Sequence, residues 1–125
     1  MTIEVSSIDQ GKGIEVMCSG VIHGKEIIAS QNTKSDDELM RTRYMVIDYS
    51  DVKESYVSPE EIKVIVDNDI KILSVNPEMF IVIVVANEIF RMMSSLYAAY
   101  AKEYLSKIKH FEARDEAQSW IKSNI

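Results

Sequence analysis

Cysteine is nearly absent from this sequence, since Cys18 is the only one among 125 residues. A single cysteine excludes an intrachain disulfide and agrees with a reducing compartment. Long apolar segments are also absent, because the longest uninterrupted run, at 79–86, is far shorter than the roughly 20 residues of a membrane-spanning helix. Residues 1–5 lack the basic start and apolar stretch of a signal peptide. We therefore expect a cytoplasmic protein without a membrane span.

Positive charge is scarce as well. The chain has 14 Lys and Arg against 20 Asp and Glu, which gives a formal net charge of −6. Nucleic acids and anionic membrane surfaces are bound mainly by clustered Lys and Arg, and the nearest approach to a cluster is the pair Arg41 and Arg43. We expect neither nucleic acid nor a polybasic membrane anchor among the partners of this protein.

Glycine and proline are too few to mark a linker, with four and two residues respectively. No repeat or low-complexity segment divides the chain, so residues 1–125 are predicted to form a single domain. A domain of this length buries roughly two-thirds of its unfolded surface, and 46% hydrophobic residues supply the core.

Catalytic and metal-binding motifs are missing too. The two histidines, His23 and His110, stand in no metal-ligand spacing, and there is no nucleophile elbow or phosphate-binding loop. The sequence predicts no metal, no cofactor and no enzymatic activity. One catalytic hypothesis remains, in which His23 acts as a general base beside a carboxylate such as Asp48, and it requires both groups to converge in one cleft.

What the sequence does contain is an alternation of strand and helix patterns. An antiparallel hairpin at the start is followed by short apolar runs that alternate with amphipathic stretches. This order predicts an α/β fold with a mixed, mostly parallel sheet of about five strands and about four helices, joined by right-handed crossovers. The predicted strands are 3–5, 14–22, 44–47, 79–86 and 109–111, and the main predicted helices are 25–32, 59–75, 88–106 and a C-terminal one that includes Trp120.

The clearest local signal is a helix start at residues 58–61. Ser58 suits the N-cap, Pro59 the first helical position and Glu61 the third, which together make a capping box. Asn76 and Pro77 then end this helix.

Polar side chains follow two of the apolar strands. In open α/β sheets, ligands bind outside the carboxyl ends of the parallel strands. The sequence therefore offers a ligand or partner site, although Ser58 and Asn87 would also serve simply as helix caps. The candidate residues are Asp48, Ser50, Ser58 and Asn87.

The predicted helix 88–106 is apolar over more than half of its circumference. A helix that faces only its own sheet needs one apolar stripe, so the excess favours contact with a second subunit, another protein or an apolar ligand. Deep burial of the helix by neighbouring elements would account for the excess of apolar residues equally well. The candidate interface residues are Phe90, Met92, Met93, Leu96, Tyr97, Tyr100 and Tyr104.

Three stretches together resemble the STAS domains, and especially the bacterial SpoIIAA-like (STAS/SEC14-like) proteins. Residues 45–52, MVIDYSDV, are similar to the STAS strand that ends in D-L-S-x-V. Residues 56–59, YVSP, occupy the place of the D-S-S-G motif, with Ser58 at its second serine. Residues 111–121 resemble the SpoIIAA-like ending E-A-x-x-W-[LI].

This resemblance implies a function in binding. In anti-sigma-factor antagonists the second serine is phosphorylated by a partner kinase, which switches binding off, and Ser58 stands at that place. Tyr56, Val57 and Pro59 depart from the motif around it. The SEC14-like side of the resemblance implies apolar or lipid ligands. The leading hypothesis is a non-enzymatic regulatory module that binds a protein partner and forms a homodimer, and the alternative is a carrier for a lipid or other apolar small molecule.

Overall fold

Strand order in the single sheet follows chain order, β1-β2-β3-β4-β5. The computed structural model describes residues 2–86, 88 and 91–125. β1 runs antiparallel to β2, and every other neighbouring pair is parallel. The predicted α/β fold with a mixed, mostly parallel sheet is therefore confirmed. The strands are β1 (Ile3–Ile8), β2 (Gly13–His23), β3 (Tyr44–Tyr56), β4 (Phe80–Val84) and β5 (Ile108–Phe111).

A tight turn joins β1 to β2 and confirms the opening hairpin. Asp9, Gln10 and Gly11 all have positive φ, and the largest value, 87°, belongs to Gly11, where the missing Cβ removes the steric cost. The Tyr44 hydroxyl donates to Asp9 Oδ2 at 3.2 Å, which ties this turn to the start of β3.

The helices divide unequally between the two faces of the sheet. The first four pack on one face, here called the front face, where they bury residues such as Ile27, Leu39 and Ile65. Of the described helices, the last one alone covers the opposite back face, where Ala117 and Ile121 meet the valines of β3 and β4. Right-handed crossovers between successive parallel strands place the connecting helices on one side. The helices are α1 (Gly24–Ser30), α2 (Asp36–Arg41), α3 (Pro59–Val75), α4 (Arg91–Tyr100) and α5 (Arg114–Asn124).

The start of α3 has the predicted capping box. Ser58 Oγ accepts from the Glu61 backbone N–H at 3.1 Å, and Glu61 Oε1 accepts from the Ser58 N–H at 2.9 Å. The Glu61 carboxylate also lies against the backbone of Gly24, so closely that a Cβ there would lie 2.5 Å from Glu61 Cδ. This contact fixes the beginning of α1 against the beginning of α3.

β3 is much longer than the predicted strand 44–47. β4 pairs with β3 only as far as Asp48 and Val84, whereas β2 stays paired with β3 as far as His23 and Tyr56. The two long strands thus form an arm beyond the end of β4. The polar residues after Ile47 suggested a loop, but the strand continues in its pairing with β2, and α5 balances the charge of Asp48 within it, as described below.

The fourth helix is shorter than the predicted range 88–106. α4 ends at Tyr100, and a 3-10 turn at Lys102–Tyr104 follows. Hydrogen bonds from Tyr104 N to Ala101 O and from Lys107 N to Tyr104 O tighten the backbone so that it can enter β5 at Ile108. Residues 87, 89 and 90 lie outside the described part of the chain.

None of the helices in the described ranges is both long enough and apolar enough to cross a membrane.

Candidate functional site

Asp48 is held in an ion-pair cluster on the back face. Its Oδ2 is 3.0 Å from Arg114 Nη1, and its Oδ1 accepts from the Ser50 N–H at 2.8 Å. Arg114 Nη2 also pairs with Glu15 Oε2 at 2.5 Å. Burial alone would raise the pKa of Asp48, but the hydrogen bonds from Ser50 and Arg114 outweigh it and lower the pKa below its ordinary value. This cluster attaches the start of α5 to the sheet.

The four predicted ligand residues do not form one site. Ser50 lies within β3, and Ser58 follows the far end of that strand. The six positions from Ser50 to Tyr56 span about 20 Å at the usual rise per residue. Asn87 is outside the described residues. A role for Asp48, Ser50 or Ser58 in binding stays a prediction, in which Asp48 and Ser50 are in contact and Ser58 lies apart from both.

His23 and Asp48 do not converge either. In the parallel pair of β2 and β3, Met17 lies opposite Asp48 and His23 lies opposite Tyr56. The six positions from Met17 to His23 again correspond to about 20 Å. The His23 ring stacks on Tyr56, with 5.4 Å between ring centroids. The catalytic hypothesis that needs these two groups in one cleft therefore has no geometric support.

The residues of the predicted apolar stripe on α4 differ in exposure. Tyr97 is buried, and Met93, Leu96 and Tyr104 pack against the front-face core. Met92 is 81% exposed and Tyr100 is 39% exposed. Phe90 lies outside the described residues. Most of the stripe thus faces the protein's own interior, and two residues remain on the surface.

That interior contains a cavity between the front face of the sheet and helices α1, α3 and α4. Its volume is about 70 Å³. One buried water needs roughly 10–15 Å³, so the space corresponds to roughly five waters. Most of its wall is aliphatic, and the titratable side chains in the wall include Cys18, Tyr49, Asp69, Tyr97 and His110.

Asp69 is the buried carboxylate of this cavity, with only 1% of its surface exposed. Its Oδ2 accepts from the Tyr97 hydroxyl at 2.6 Å, and its Oδ1 accepts from Gln31 Nε2 at 2.9 Å. Gln31 Nε2 also donates to the Ile65 carbonyl at 2.8 Å, and Gln31 Oε1 accepts from Asn68 Nδ2 at 3.0 Å. The network links α3 with α4 and with the end of α1.

No positive charge among the described side chains balances Asp69, since no Lys, Arg or His nitrogen in that part of the chain lies within 4.0 Å of its carboxylate. Burial raises the pKa of Asp69 to about 6, and the hydrogen bonds from Tyr97 and Gln31 only partly oppose this rise. At neutral pH the group is still mainly ionised. The cavity wall therefore carries a negative charge held by neutral donors.

The other titratable groups of the wall are uncharged at neutral pH, except Lys34, which pairs with Glu38 at 3.4 Å. Burial raises the pKa of Cys18 to about 12, which leaves an inert thiol. Burial also raises the pKa of Tyr49 and Tyr97 well above 10 and lowers the pKa of His110 below 6.5. The His110 ring meets the Tyr97 ring edge-on, at 5.5 Å between centroids. Neutral phenol, thiol and imidazole groups thus line the cavity together with Asp69.

A surface groove adjoins this cavity between β1 and α1. Its volume is about 590 Å³, and it shares the wall residues Ile3, Val5, Ser30, Thr33 and Lys34 with the cavity. Because they share these residues, the groove and the cavity lie side by side.

Asp69 was not among the residues singled out from the sequence, although a signal for it exists. The buried face of α3 repeats every three to four residues through Ile62, Ile65, Val66, Ile72 and Leu73, and Asp69 occupies the place between Val66 and Ile72. A carboxylate at a core position of an amphipathic helix destabilises the fold unless it is paired or hydrogen-bonded, so such a residue is a candidate for a function. The position of Asp69 in this pattern, rather than the polar residues at the strand ends, was the sequence signal for the cavity.

Within the described ranges, no group of three or more His, Cys, Asp or Glu side chains is placed to hold a metal ion. Comparison of the chain with protein-family models and with curated proteins gave no match.

Proposed function

We propose that this chain is a non-enzymatic binding module, of the STAS-like type that the sequence resembles, and that it holds a small, mainly apolar molecule in the front-face cavity. The observation that carries the proposal is the cavity of about 70 Å³ with an aliphatic wall and one polar end at Asp69 and Tyr97. Binding pockets are typically concave and mostly apolar, with a few placed polar groups.

The size of the cavity limits the ligand. Space for roughly five waters fits a compact molecule of a few carbon atoms or the end of a longer one. A complete lipid with long acyl chains is too large for the cavity that the described residues enclose. Within the carrier function expected from the sequence, the cavity volume thus favours a small apolar molecule over a lipid.

Titration with 1-butanol, followed by amide NMR, tests this proposal. We expect saturable shifts at wall residues such as Cys18 and Ile83, because the five non-hydrogen atoms of the alcohol match a space for roughly five waters. Ser94→Leu adds volume at a wall position and should weaken binding at least about tenfold, which corresponds to about 1.4 kcal/mol.

The matched control is Ala99→Leu, which adds a larger side chain at an exposed position of the same helix. It should leave the affinity for 1-butanol unchanged. Absence of saturable shifts in the wild-type protein, or equal loss of affinity in both variants, would contradict the proposal.

A second candidate function is the regulatory protein interaction that the resemblance implies. The observation in its favour is a pair of exposed apolar side chains on the arm just before Ser58, namely Val21 at 41% and Tyr56 at 57% exposure. A phosphoryl group on Ser58 would lie at the N-terminus of α3, which favours anions, but also beside the carboxylate of Glu61.

The mass of the protein purified from its own host tests this second function. A phosphoryl group mapped to Ser58 supports the regulatory switch. An unmodified Ser58 under all growth conditions that produce the protein would count against it. The predicted homodimer rests on the two exposed residues of α4, Met92 and Tyr100, and is tested by the mass of the assembly in the same experiment.

A further inference from the structure

We infer that the polar end of the front-face cavity is a recognition site for an ammonium group, so that the ligand is a small primary amine with an aliphatic body. This inference rests on the proposed function, because it requires that the cavity bind a small molecule. It goes further by naming the chemical class of the ligand and the residue that selects it, Asp69.

The first step in the argument is the position of the carboxylate. Asp69 forms part of the cavity wall, and only 1% of its surface is exposed to solvent. Among the described side chains, Tyr97 donates one hydrogen bond to Oδ2 and Gln31 donates one to Oδ1. A carboxylate has about four acceptor sites in all. Each oxygen therefore retains acceptor capacity for a donor that enters the cavity.

The second step is the unbalanced charge. Buried carboxylates are normally paired with a cation or coordinate a metal ion. The described side chains around Asp69 supply only neutral donors, whereas Asp48, on the other face of the same sheet, has Arg114. An ammonium ligand would complete the missing ion pair and would satisfy the remaining acceptor sites with its three N–H donors.

The third step concerns the choice of residue. An asparagine at this position would avoid bringing an ionised group out of water, accepting from Gln31 on its one oxygen and donating its amide N–H to a reoriented Tyr97 hydroxyl. The carboxylate accepts both hydrogen bonds, and it also brings a negative charge that its neutral donors do not balance. Aliphatic walls from the strands then match an apolar body behind the ammonium group.

The experiment compares three probes that share one aliphatic chain and differ in charge: butylamine, 1-butanol and butyrate. At about pH 8 the amine is protonated and Asp69 is ionised. We expect butylamine to bind the wild-type protein at least about tenfold more tightly than 1-butanol, and butyrate to bind most weakly, because only the ammonium group pairs with the carboxylate.

Asp69→Asn removes the charge and retains the shape of the side chain. It should reduce the preference for butylamine to within about twofold of 1-butanol while leaving 1-butanol binding in place. The matched control is Asp67→Asn, which removes an exposed carboxylate of the same helix, one that pairs with Lys63 at 2.7 Å. The control should keep the full preference.

The outcomes separate the two claims. If 1-butanol binds and butylamine binds no better, the ammonium site is refuted and the proposed function stands. If none of the probes binds, the proposed function itself fails. Should Asp69→Asn not fold, nuclear Overhauser contacts in the wild-type protein decide the matter: contacts between the butylamine methylene next to nitrogen and the Tyr97 ring support the site, and contacts elsewhere only would overturn it.

Discussion

Two buried carboxylates on opposite faces of one sheet are held in different ways. Asp48, on the back face, has the guanidinium of Arg114 at 3.0 Å, and its pKa is lowered. Asp69, on the front face, has a phenol and an amide as its described partners, and burial raises its pKa to about 6. A carboxylate that only stabilises a fold is expected to resemble the first. The second resembles a group that is kept for a ligand.

The back-face pair should produce the largest effect when it is broken. Arg114→Met leaves Asp48, whose side chain is 5% exposed, without its counter-charge. We expect a loss of about 3 kcal/mol in the free energy of unfolding, because an unpaired buried charge remains. Lys122→Met, at an exposed position of the same helix, should change stability by less than about 0.5 kcal/mol. Urea denaturation measures both, and equal effects would mean that the pair is not structural.

Asp69, the front-face carboxylate, should make the free energy of unfolding depend on pH. The pKa of Asp69 is about 6 in the folded protein and about 4 in an unfolded chain. The folded state therefore binds more protons between these values, and the contribution of Asp69 to stability falls as the pH rises from about 4 to about 6. Asp48 acts in the opposite sense, since its contribution is lost as the pH falls through its lowered folded pKa.

Asp69→Asn isolates that contribution. The free energy of unfolding of the variant, minus that of the wild-type protein, should rise by about 2 kcal/mol as the pH increases from about 4 to about 7. The reason is that the variant has no buried carboxylate to ionise. The difference between the two proteins cancels the titration of His110 and the other groups of the cavity. Asp67→Asn should show no such gain, and an equal gain there would contradict this explanation.

The smallest effect is expected from the hydroxyl that supports Asp69. Tyr97→Phe removes the 2.6 Å hydrogen bond to Oδ2 and retains the ring. We expect a loss of about 1 kcal/mol, measured by thermal denaturation at neutral pH, because one donor to a buried acceptor is missing. Tyr100→Phe, at a position that is 39% exposed on the same helix, should be close to neutral. An unchanged stability of Tyr97→Phe would indicate that a water molecule replaces the hydroxyl as donor to Asp69.

The parts of this fold that depend on local patterns could be predicted from the sequence. The capping box at Ser58 and Glu61 involves neighbours only three positions apart, and it is present as expected. The short apolar runs likewise predict the strands, since a continuous apolar segment suits a strand that is covered on both faces. Local chemistry was sufficient for the order of elements and for the α/β class.

Features that depend on distant residues could not be read from those patterns. β3 continues past Asp48 in its pairing with β2, and Arg114, 66 positions later in the chain, balances the charge of that buried side chain. The cavity forms where residues from α1, α3 and α4 meet, and Gln31 and Tyr97 reach Asp69 from 38 and 28 positions away. The periodicity of a helix predicts which of its positions are buried, but it does not predict which distant side chain will contact each of them.

The most direct test of an uncompensated carboxylate in the cavity is a carboxyl-carbon NMR titration of the aspartates, with and without saturating butylamine. We predict that the pKa of Asp69 is about 6 in the free protein and falls when butylamine binds, because the ammonium group favours the ionised form, while the pKa of Asp48 does not change. A pKa of Asp69 that stays the same at saturating butylamine would contradict the account.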